Sequence, residues 1–599
     1  MLLSRLISKV PLIKSCKAST QTIVLKSKLH NSVAPNPSAA AIPSAKSLYE
    51  DADASLWVKS PLQDVSTVVG YTVPEIIREN LGGWGHLPAF ECASTGKIYT
   101  HDDVLRDSRG FAAALIRSGF KRGDVVAIVL PNVVEYPSVL FGIWEAGLIA
   151  SPVNNAYSDE EIHRQLCLSD AVCVVAESET LESVRKSKER NPNIKSIVIV
   201  GEPHQGCHTF KEMANSDPSG VSLFKASASD VDTTTQVALL PFSSGTTGPP
   251  KGVELTHANL ATNLIQCDPG KGISLIQTYS SGKTQERHVG LLPFFHAYGL
   301  SCLIHMSTYV GAHVMCMRKF DVDLFLQGVR RHKPTAFHLV TPLINHMVNS
   351  NNYGKNELAH AHTVLGGAAP IGASLIEKLL DKAGKYFFFQ EGYGMSELSP
   401  VSHVLLPDTR NTKIGSCGSP VPGTITKIVD TDGTTLGRNQ RGEICVKGPQ
   451  VMKGYYKNEE ATRNTIDADG WLHTGDIAYY DDDGCLFIVD RLKELIKVKG
   501  FQVAPSELED LLRKHDKVED VAIIGVSHPE NGEAPRAYIV PKTGTQLSED
   551  EVNAYLKPLI SKHKQLRGGI EFRKSIPKAP SGKILRRELT DEYKSKHGQ

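Results

Sequence analysis

Between Tyr71 and about Val200 the chain switches repeatedly from short apolar runs to helical patterns, and Val125-Val126-Ala127-Ile128-Val129-Leu130 is the sharpest of those runs. An unbroken apolar stretch rich in β-branched side chains, closed by Pro131-Asn132, reads as a strand buried on both faces. A helical segment then runs towards Ala146. Ser158-Asp159-Glu160-Glu161 has the hydroxyl and the glutamate three places later that form a capping box, so a further helix opens there. Ala171-Val172-Cys173-Val174-Val175 and Ile197-Val198-Ile199-Val200 are further strands. Strands of this kind, separated by helices, are expected to form parallel sheets covered by helices.

The pattern changes downstream. From Gly415 to Val451 the chain is rich in Gly and Thr with short alternating strands, which predicts a small antiparallel or barrel-like subdomain. Residues 491–599 read as a separate α+β unit, with its boundary at Asp490-Arg491-Leu492-Lys493 after the strand Leu486-Phe487-Ile488-Val489. The expected fold class is therefore α/β. A large N-terminal domain of stacked parallel sheets, with its barrel-like subdomain, covers residues 46–490, and a small α+β domain covers 491–599.

A chain of 599 residues exceeds what one core serves, so more than one domain is expected. Sixty-six Lys and Arg against 65 Asp and Glu leave a formal charge of +1, which points to neither nucleic acid nor an anionic membrane as a partner. The 11 cysteines form no C-x-x-C pair and no secretory apolar core precedes them. A reducing intracellular compartment fits better than a disulfide scaffold or a zinc site, and the cysteines read as structural. No uninterrupted apolar run reaches the ~18 residues of a membrane span.

The N-terminus stands apart. Met1 to Tyr49 holds no Asp or Glu, while Arg5, Lys9, Lys14, Lys17, Lys26, Lys28 and Lys46 are scattered among serines and alanines. Leu2, Leu3, Leu6, Ile7 and Val10 can share one face of a short amphipathic helix, so residues 1–45 resemble a mitochondrial presequence. The final His597-Gly598-Gln599 carries no S-K-L type peroxisomal address.

One loop carries chemistry. In Ser243-Ser244-Gly245-Thr246-Thr247-Gly248-Pro249-Pro250-Lys251-Gly252, glycines let backbone N–H groups converge on one anion, hydroxyls donate further hydrogen bonds and Lys251 adds charge. Val237-Ala238-Leu239-Leu240 before it reads as a strand, and a helical pattern begins at Thr256. The P-loop of nucleoside triphosphatases requires Ser or Thr after the lysine; here Gly252 follows, and that pattern fails.

The segment resembles instead the phosphate loop of the adenylate-forming superfamily of acyl-CoA synthetases, 4-coumarate–CoA ligases, beetle luciferases and peptide-synthetase adenylation domains. Further signatures of that superfamily follow in order. They are Pro293-Phe294-Phe295-His296-Ala297-Tyr298-Gly299, Gly366-Gly367-Ala368-Ala369-Pro370, Glu391-Gly392-Tyr393-Gly394-Met395-Ser396-Glu397, Thr474-Gly475-Asp476, Asp490-Arg491-Leu492-Lys493-Glu494 and Pro580-Ser581-Gly582-Lys583-Ile584. The 4-coumarate–CoA-ligase-like branch is singled out by Lys497-Val498-Lys499-Gly500-Phe501-Gln502-Val503.

The resemblance implies an ATP-dependent acyl-CoA ligase that uses Mg²⁺ and coenzyme A on a small carboxylic acid. It places Ser243, Ser244, Gly245, Thr246, Thr247, Gly248 and Lys251 on the phosphates, with Glu397 and Thr246 at the metal. Gly367, Ala368, Gly392 and Tyr393 would contact the adenine, Glu391 and Ser396 would belong to the same nucleotide site, and Asp476, Arg491 and Lys493 would serve the ribose and the hinge. Lys583 would bridge carboxylate and α-phosphate, and His296 would border the acyl carboxylate. Rotation of a mobile C-terminal domain would then bring Lys497, Gln502, Lys499 and Gly500 to the adenylate, with Lys319 and Lys499 on the phosphates of coenzyme A.

Two positions depart from the plant coumarate enzymes. Glu391 stands where they carry Gln, with Gln390 one place earlier, and Leu365 stands where several carry a lysine near the phenolic end of the pocket. The second departure favours a fatty or plain aryl acid. Luciferase-like oxygenation, loading of a carrier-protein thiol, and a non-catalytic nucleotide-binding protein are the competing readings.

Overall fold

The computed structural model describes residues 55–228, 231–243, 250–271, 280, 284–367, 371, 373–384, 387–406, 413–499, 501–529, 531–579 and 582–597. Residues 55–599 form one compact unit. Two nine-stranded sheets make its bulk. The first is centred on Val125–Val129, with Ile149–Pro152 and Ala171–Glu177 as parallel neighbours and Ser196–Val200 beyond. All five residues of the central strand are buried, as the unbroken apolar run requires. The second sheet runs in parallel through Phe388–Gly394, Thr363–Gly366, Ala336–Leu339, Arg287–Gly290, His313–Cys316 and Pro88–Cys92.

Helices His101–Arg117 and Tyr136–Glu145 pack so closely that a Cβ on Gly142 would lie 2.7 Å from the Ser108 carbonyl oxygen. The buried Trp144 donates its indole N–H to the Ala238 carbonyl at 2.7 Å, which fastens the second of these helices to the first sheet. The expected capping box is formed: Ser158 caps the helix Asp159–Leu168 and bonds reciprocally with Glu161.

Pro131-Asn132 does more than end a strand. Asn132 is buried, and its side-chain NH₂ donates to the carbonyls of Gly290 and Leu292 at 2.9 Å each, while its Oδ1 accepts from the Phe294 N–H at 2.8 Å. One side chain thus ties the C-terminal end of the first sheet's central strand to the second sheet and to the segment that carries His296.

The antiparallel piece is a six-stranded sheet larger than the expected 415–451. Its order runs Val58–Lys59, Ile425–Val429, Gly442–Lys447, Leu472–Tyr480, Leu486–Arg491, with Thr435–Leu436 on the side. Among the described strands this order is a path and not a closed ring. After it, a five-stranded sheet carries its own cores. Along Val518–His528, Val521 and Ile523 join a cluster with Leu508, Leu512 and Val552, while Ala522 and Ile524 join another with Tyr538, Ile576 and Leu589. This alternation with period two buries both faces of the small sheet. No described helix is long and apolar enough to cross a membrane.

The helical pattern expected from Thr256 is present, but a strand not expected from the sequence precedes it: Lys251–Thr256 pairs antiparallel with Phe242–Ser243 in the register Ser243↔Lys251. The helix follows as His257–Gln266, capped by Thr256 with a reciprocal bond to Asn259. Gly252, Val253, Leu255 and Thr256 are buried while Lys251 and Glu254 are half-buried, and the strand is defined by its pairing with Phe242–Ser243 on one side and Val237–Leu239 on the other.

Candidate active site

A cleft of about 1740 Å³ is lined by both large sheets, the antiparallel sheet and the C-terminal unit. Behind its polar wall, in contact with the lining residues Tyr393 and Arg491, lies Asp476, buried in the strand Leu472–Tyr480. Asp476 Oδ2 accepts a 2.6 Å hydrogen bond from the Tyr393 hydroxyl, and Arg491 Nε lies 3.1 Å from Oδ1. The register pairs Asp476 with Arg491 across adjacent strands, so backbone geometry fixes the ion pair. Burial raises the Asp476 carboxyl above its ordinary range, opposed by Arg491, the Tyr393 bond and the charge of Lys583.

Glu443 and His473 shape the turn before Asp476, and motif reading overlooked the first of them. Glu443 Oε1 accepts from the Gly475 N–H at 2.8 Å while Oε2 pairs with His473 Nδ1 at 2.9 Å. Hydrogen bonds with Cys445 and Glu443 push the His473 imidazole up to about 10. No spacing rule marks Glu443, because it lies on a neighbouring strand about thirty residues away.

Lys583 enters from the C-terminal unit and is half-buried in the cleft lining. The turn beneath it is closed by the Gly582 N–H to Ala579 O bond and the Ala579 N–H to Lys583 O bond, both at 2.8 Å. Gly582 sits at φ +83°, and a Cβ there would lie 3.0 Å from Pro342 Cδ, so glycine serves both the turn and the close approach to the large domain. Burial lowers the Lys583 ammonium below its ordinary value, helped by Arg491 and opposed by Glu494 and Asp476. Burial also holds His296 at about 4, with the charge of Lys583 adding to the effect, and both groups line the cleft.

Glu397 is buried in the turn Ser396–Leu398, and its Oε1 accepts from the Tyr455 hydroxyl at 2.9 Å. Lys251 Nζ stands 4.8 Å from the centre of the Tyr455 ring. Ser243, Lys251, Glu397 and Ser396 all line the cleft. Gly367 lies between the Tyr298 ring and the Gly392 carbonyl, since a Cβ on it would be 3.5 Å from Tyr298 Cε1 and 3.6 Å from Gly392 O. Beyond Tyr298 the lining becomes apolar, with Cys302, Met306 and Leu365.

Several expected residues lie elsewhere. Glu391 is not part of the described lining: its side chain is buried, Oε2 accepts from the Gly415 N–H at 2.8 Å, and burial pushes the carboxyl up to about 8. Contact of that side chain with adenine is therefore not supported in this arrangement. Lys319 is exposed outside the cleft lining. Lys497 and Gln502 are paired across a hairpin and both face solvent, as does Lys499. Lys493 lines the cleft with Arg491. Ser244, Gly245, Thr246, Thr247, Gly248, Ala368 and Gly500 lie outside the described residues.

A cleft lined by an arginine with a buried carboxylate paired behind it, by a lysine and a neutral histidine, and by an apolar arm can hold a nucleotide and an organic acid together. The sequence model for AMP-binding enzymes matches residues 77–456, and that for the AMP-binding enzyme C-terminal domain matches 507–583. The chain belongs to the AMP-binding enzyme family. Among relatives of this AMP-binding enzyme, 4-coumarate–CoA ligase 3 of Oryza sativa subsp. japonica is 39% identical over 536 residues, spanning 89% of this chain and 94% of its own. The anthranilate CoA ligase AuaEII, solved with anthranoyl-AMP, shares the fold at a TM-score of 0.79 and 23% identity, over 88% of this chain and 98% of its own. The o-succinylbenzoate CoA synthetase of Bacillus subtilis, solved with its acyl-adenylate intermediate, gives a TM-score of 0.72 at 26% identity over 88% and 99%.

Proposed function

We propose that this AMP-binding enzyme activates a hydrophobic carboxylic acid, fatty or aryl, and that the residues gathered in the cleft divide the work as follows. The enzyme is an ATP-dependent acid–thiol ligase: a carboxylate oxygen attacks the α-phosphorus of ATP and expels pyrophosphate, and the sulfur of coenzyme A then attacks the acyl carbon and expels AMP. The observation that carries the assignment of roles is Lys583, delivered by the C-terminal unit into a cleft lined by Arg491 and His296, with Asp476 paired behind Arg491. Two anions must meet there, and at an effective dielectric of ~20 one unlike charge pair at about 4 Å is worth about 4 kcal/mol.

Asp476 accepts hydrogen bonds from the ribose hydroxyls, Arg491 holds the ribose or α-phosphate, and Tyr393 with Gly367 and Gly392 packs the adenine. Lys251, with Ser243 and the hydroxyls of the loop that follows it, holds the departing phosphates. The magnesium ion fits Glu397 with Thr246, since carboxylate and hydroxyl oxygens suit a hard cation and Glu397 is buried in the cleft wall. Bound with ATP, that ion neutralises phosphate charge.

The C-terminal domain, 491–599, is proposed to swing about Arg491–Lys493. Its separate cores and the exposed Lys497, Lys499 and Gln502 support this, because those side chains lie outside the cleft lining while Lys583 is in it. Lys499, Lys319 and Gly500 are assigned to coenzyme A. Lys497→Ala is expected to slow thioester formation from supplied acyl-adenylate by about 10–100-fold and to leave ATP–pyrophosphate exchange within about twofold. Equal losses in both half-reactions would overturn the two-face assignment.

The decisive assay is acid-dependent ATP–pyrophosphate exchange followed by mass detection of acyl-CoA across fatty acids, benzoates and cinnamates. Exchange without thioester would favour another acceptor or oxygenation. Residues 1–45 are proposed to direct mitochondrial import on the strength of their composition. Fused to a fluorescent protein, they are expected to carry it into mitochondria; diffuse cytosolic fluorescence would sink the idea.

A further inference from the structure

The apolar arm of the cleft contains one polar side chain that the reaction does not use. Ala336, Leu365, Tyr298 and Cys302 pack as one cluster, and His338 follows Ala336 by two places in the strand Ala336–Leu339, in register with Leu365. Period two therefore puts His338 on the same face of the sheet as Ala336. His338 lines the cleft, is 2% exposed, and has no hydrogen-bond partner on either Nδ1 or Nε2. Its ring stands edge-on to Tyr298, with centroids 5.9 Å apart, and to His288 at 5.1 Å.

Neither neighbour relieves it. The Tyr298 hydroxyl is directed to the Leu365 carbonyl at 3.2 Å, and His288 Nδ1 is engaged with Ser307 at 3.0 Å while its Nε2 is itself without a partner. An apolar side chain could fill the same volume without burying two polar atoms. Burial holds His338 at about 3, so the imidazole is neutral and offers one donor and one acceptor. The position along the cleft is equally informative. His296 and Lys583 both line the cleft, the Tyr298 N–H bonds His296 Nδ1 at 3.3 Å, and the Tyr298 ring stands against His338, so His338 is one aromatic ring removed from His296.

We propose that His338 is a specificity-determining residue that hydrogen-bonds a neutral hydroxyl or carbonyl oxygen carried by the acid at the end remote from its carboxylate. The substituent is neutral because Leu365, Cys302, Ala336 and Tyr298 around it supply no countercharge. This rests on the ligase reading and narrows its substrate class from hydrophobic acids in general to those with a polar tail.

The test measures kcat/KM for acid-dependent ATP–pyrophosphate exchange by wild type, His338→Leu and His338→Asn. Matched acids are used: cinnamate and 4-hydroxycinnamate, 3-phenylpropanoate and its 4-hydroxy form, decanoate and 10-hydroxydecanoate or 9-oxodecanoate. Wild type is expected to favour the oxygenated member of at least one pair by about tenfold or more. His338→Leu should bring that ratio to within about twofold by losing the oxygenated acid while keeping its unsubstituted partner, and His338→Asn should retain part of the preference. Retained exchange with the unsubstituted acid shows that the leucine variant is folded; if it is inactive with every acid, the asparagine variant decides by the same ratio. A preference unchanged in the variants, or no preference in wild type, overturns the role of His338 alone. No exchange with any acid overturns the ligase reading together with it.

Discussion

Replacing Lys583 with alanine is expected to cut acid-dependent ATP–pyrophosphate exchange by about 10²–10³-fold while leaving thioester formation from supplied acyl-adenylate within about threefold. The asymmetry follows from when the charge is needed. Adenylation brings a carboxylate against a polyphosphate, and Lys583 is a cleft cation on the C-terminal unit whose neighbour Gly582 packs close to Pro342 of the large domain. Attack of a thiol on a finished adenylate no longer joins two anions. Because burial, Arg491 and Arg586 depress the ammonium against Glu494 and Asp476, kcat/KM for exchange should fall with rising pH below the ordinary lysine value of about 10.4. Lys583→Arg should restore part of the rate and remove that alkaline limb, since a guanidinium does not deprotonate there. An alanine variant with normal exchange, or an alkaline limb unchanged by arginine, would overturn the assignment.

What the sequence discloses and what it conceals divide along physical lines. Val125–Val129 was legible because a strand buried on both faces leaves no polar positions, and Ser158 because capping is a contact between near neighbours in the chain. Asp476 and Lys583 were legible through the superfamily motifs that contain them, Thr474-Gly475-Asp476 and Pro580-Ser581-Gly582-Lys583-Ile584, and the glycine before each takes a positive φ, +71° at Gly475 and +83° at Gly582. The strand Lys251–Thr256 was not legible because its first two residues read as part of the glycine-rich loop and its burial, four residues of six, shows no period of two. Glu391 sat inside a recognisable motif, yet only the tertiary contact with Gly415 shows that its carboxylate turns into the protein. Glu443, Tyr455 and His338 were invisible for a shared reason. Each acts through a partner or a cavity brought together by sheet register, and register is not written in local spacing.

The register argument leads to the second large effect. Asp476 and Arg491 meet because adjacent antiparallel strands align them, and Tyr393 reaches the same carboxylate from the second large sheet. Asp476 thereby joins two sheets at one oxygen pair, with its geometry set before any nucleotide arrives. Asp476→Ala is expected to lower kcat/KM for ATP by about 10²–10⁴-fold, the loss of two charge-assisted hydrogen bonds at about 1.5–3 kcal/mol each. The specific signature is discrimination. Wild type should prefer ATP strongly over 2′-deoxy-ATP and 3′-deoxy-ATP, whereas the variant should use all three at rates within about threefold of one another. Stability should move the other way. Burial raises the Asp476 carboxyl in the folded protein, so the unfolded chain loses its proton first as pH rises, and the ionised form costs stability once pH passes the raised folded value. Asp476→Asn, isosteric and uncharged, should therefore unfold near neutral pH at or above the wild-type temperature while binding ATP poorly. A variant that keeps full ribose discrimination would remove Asp476 from the nucleotide site. One that loses activity only in step with a lowered unfolding temperature would make its role structural.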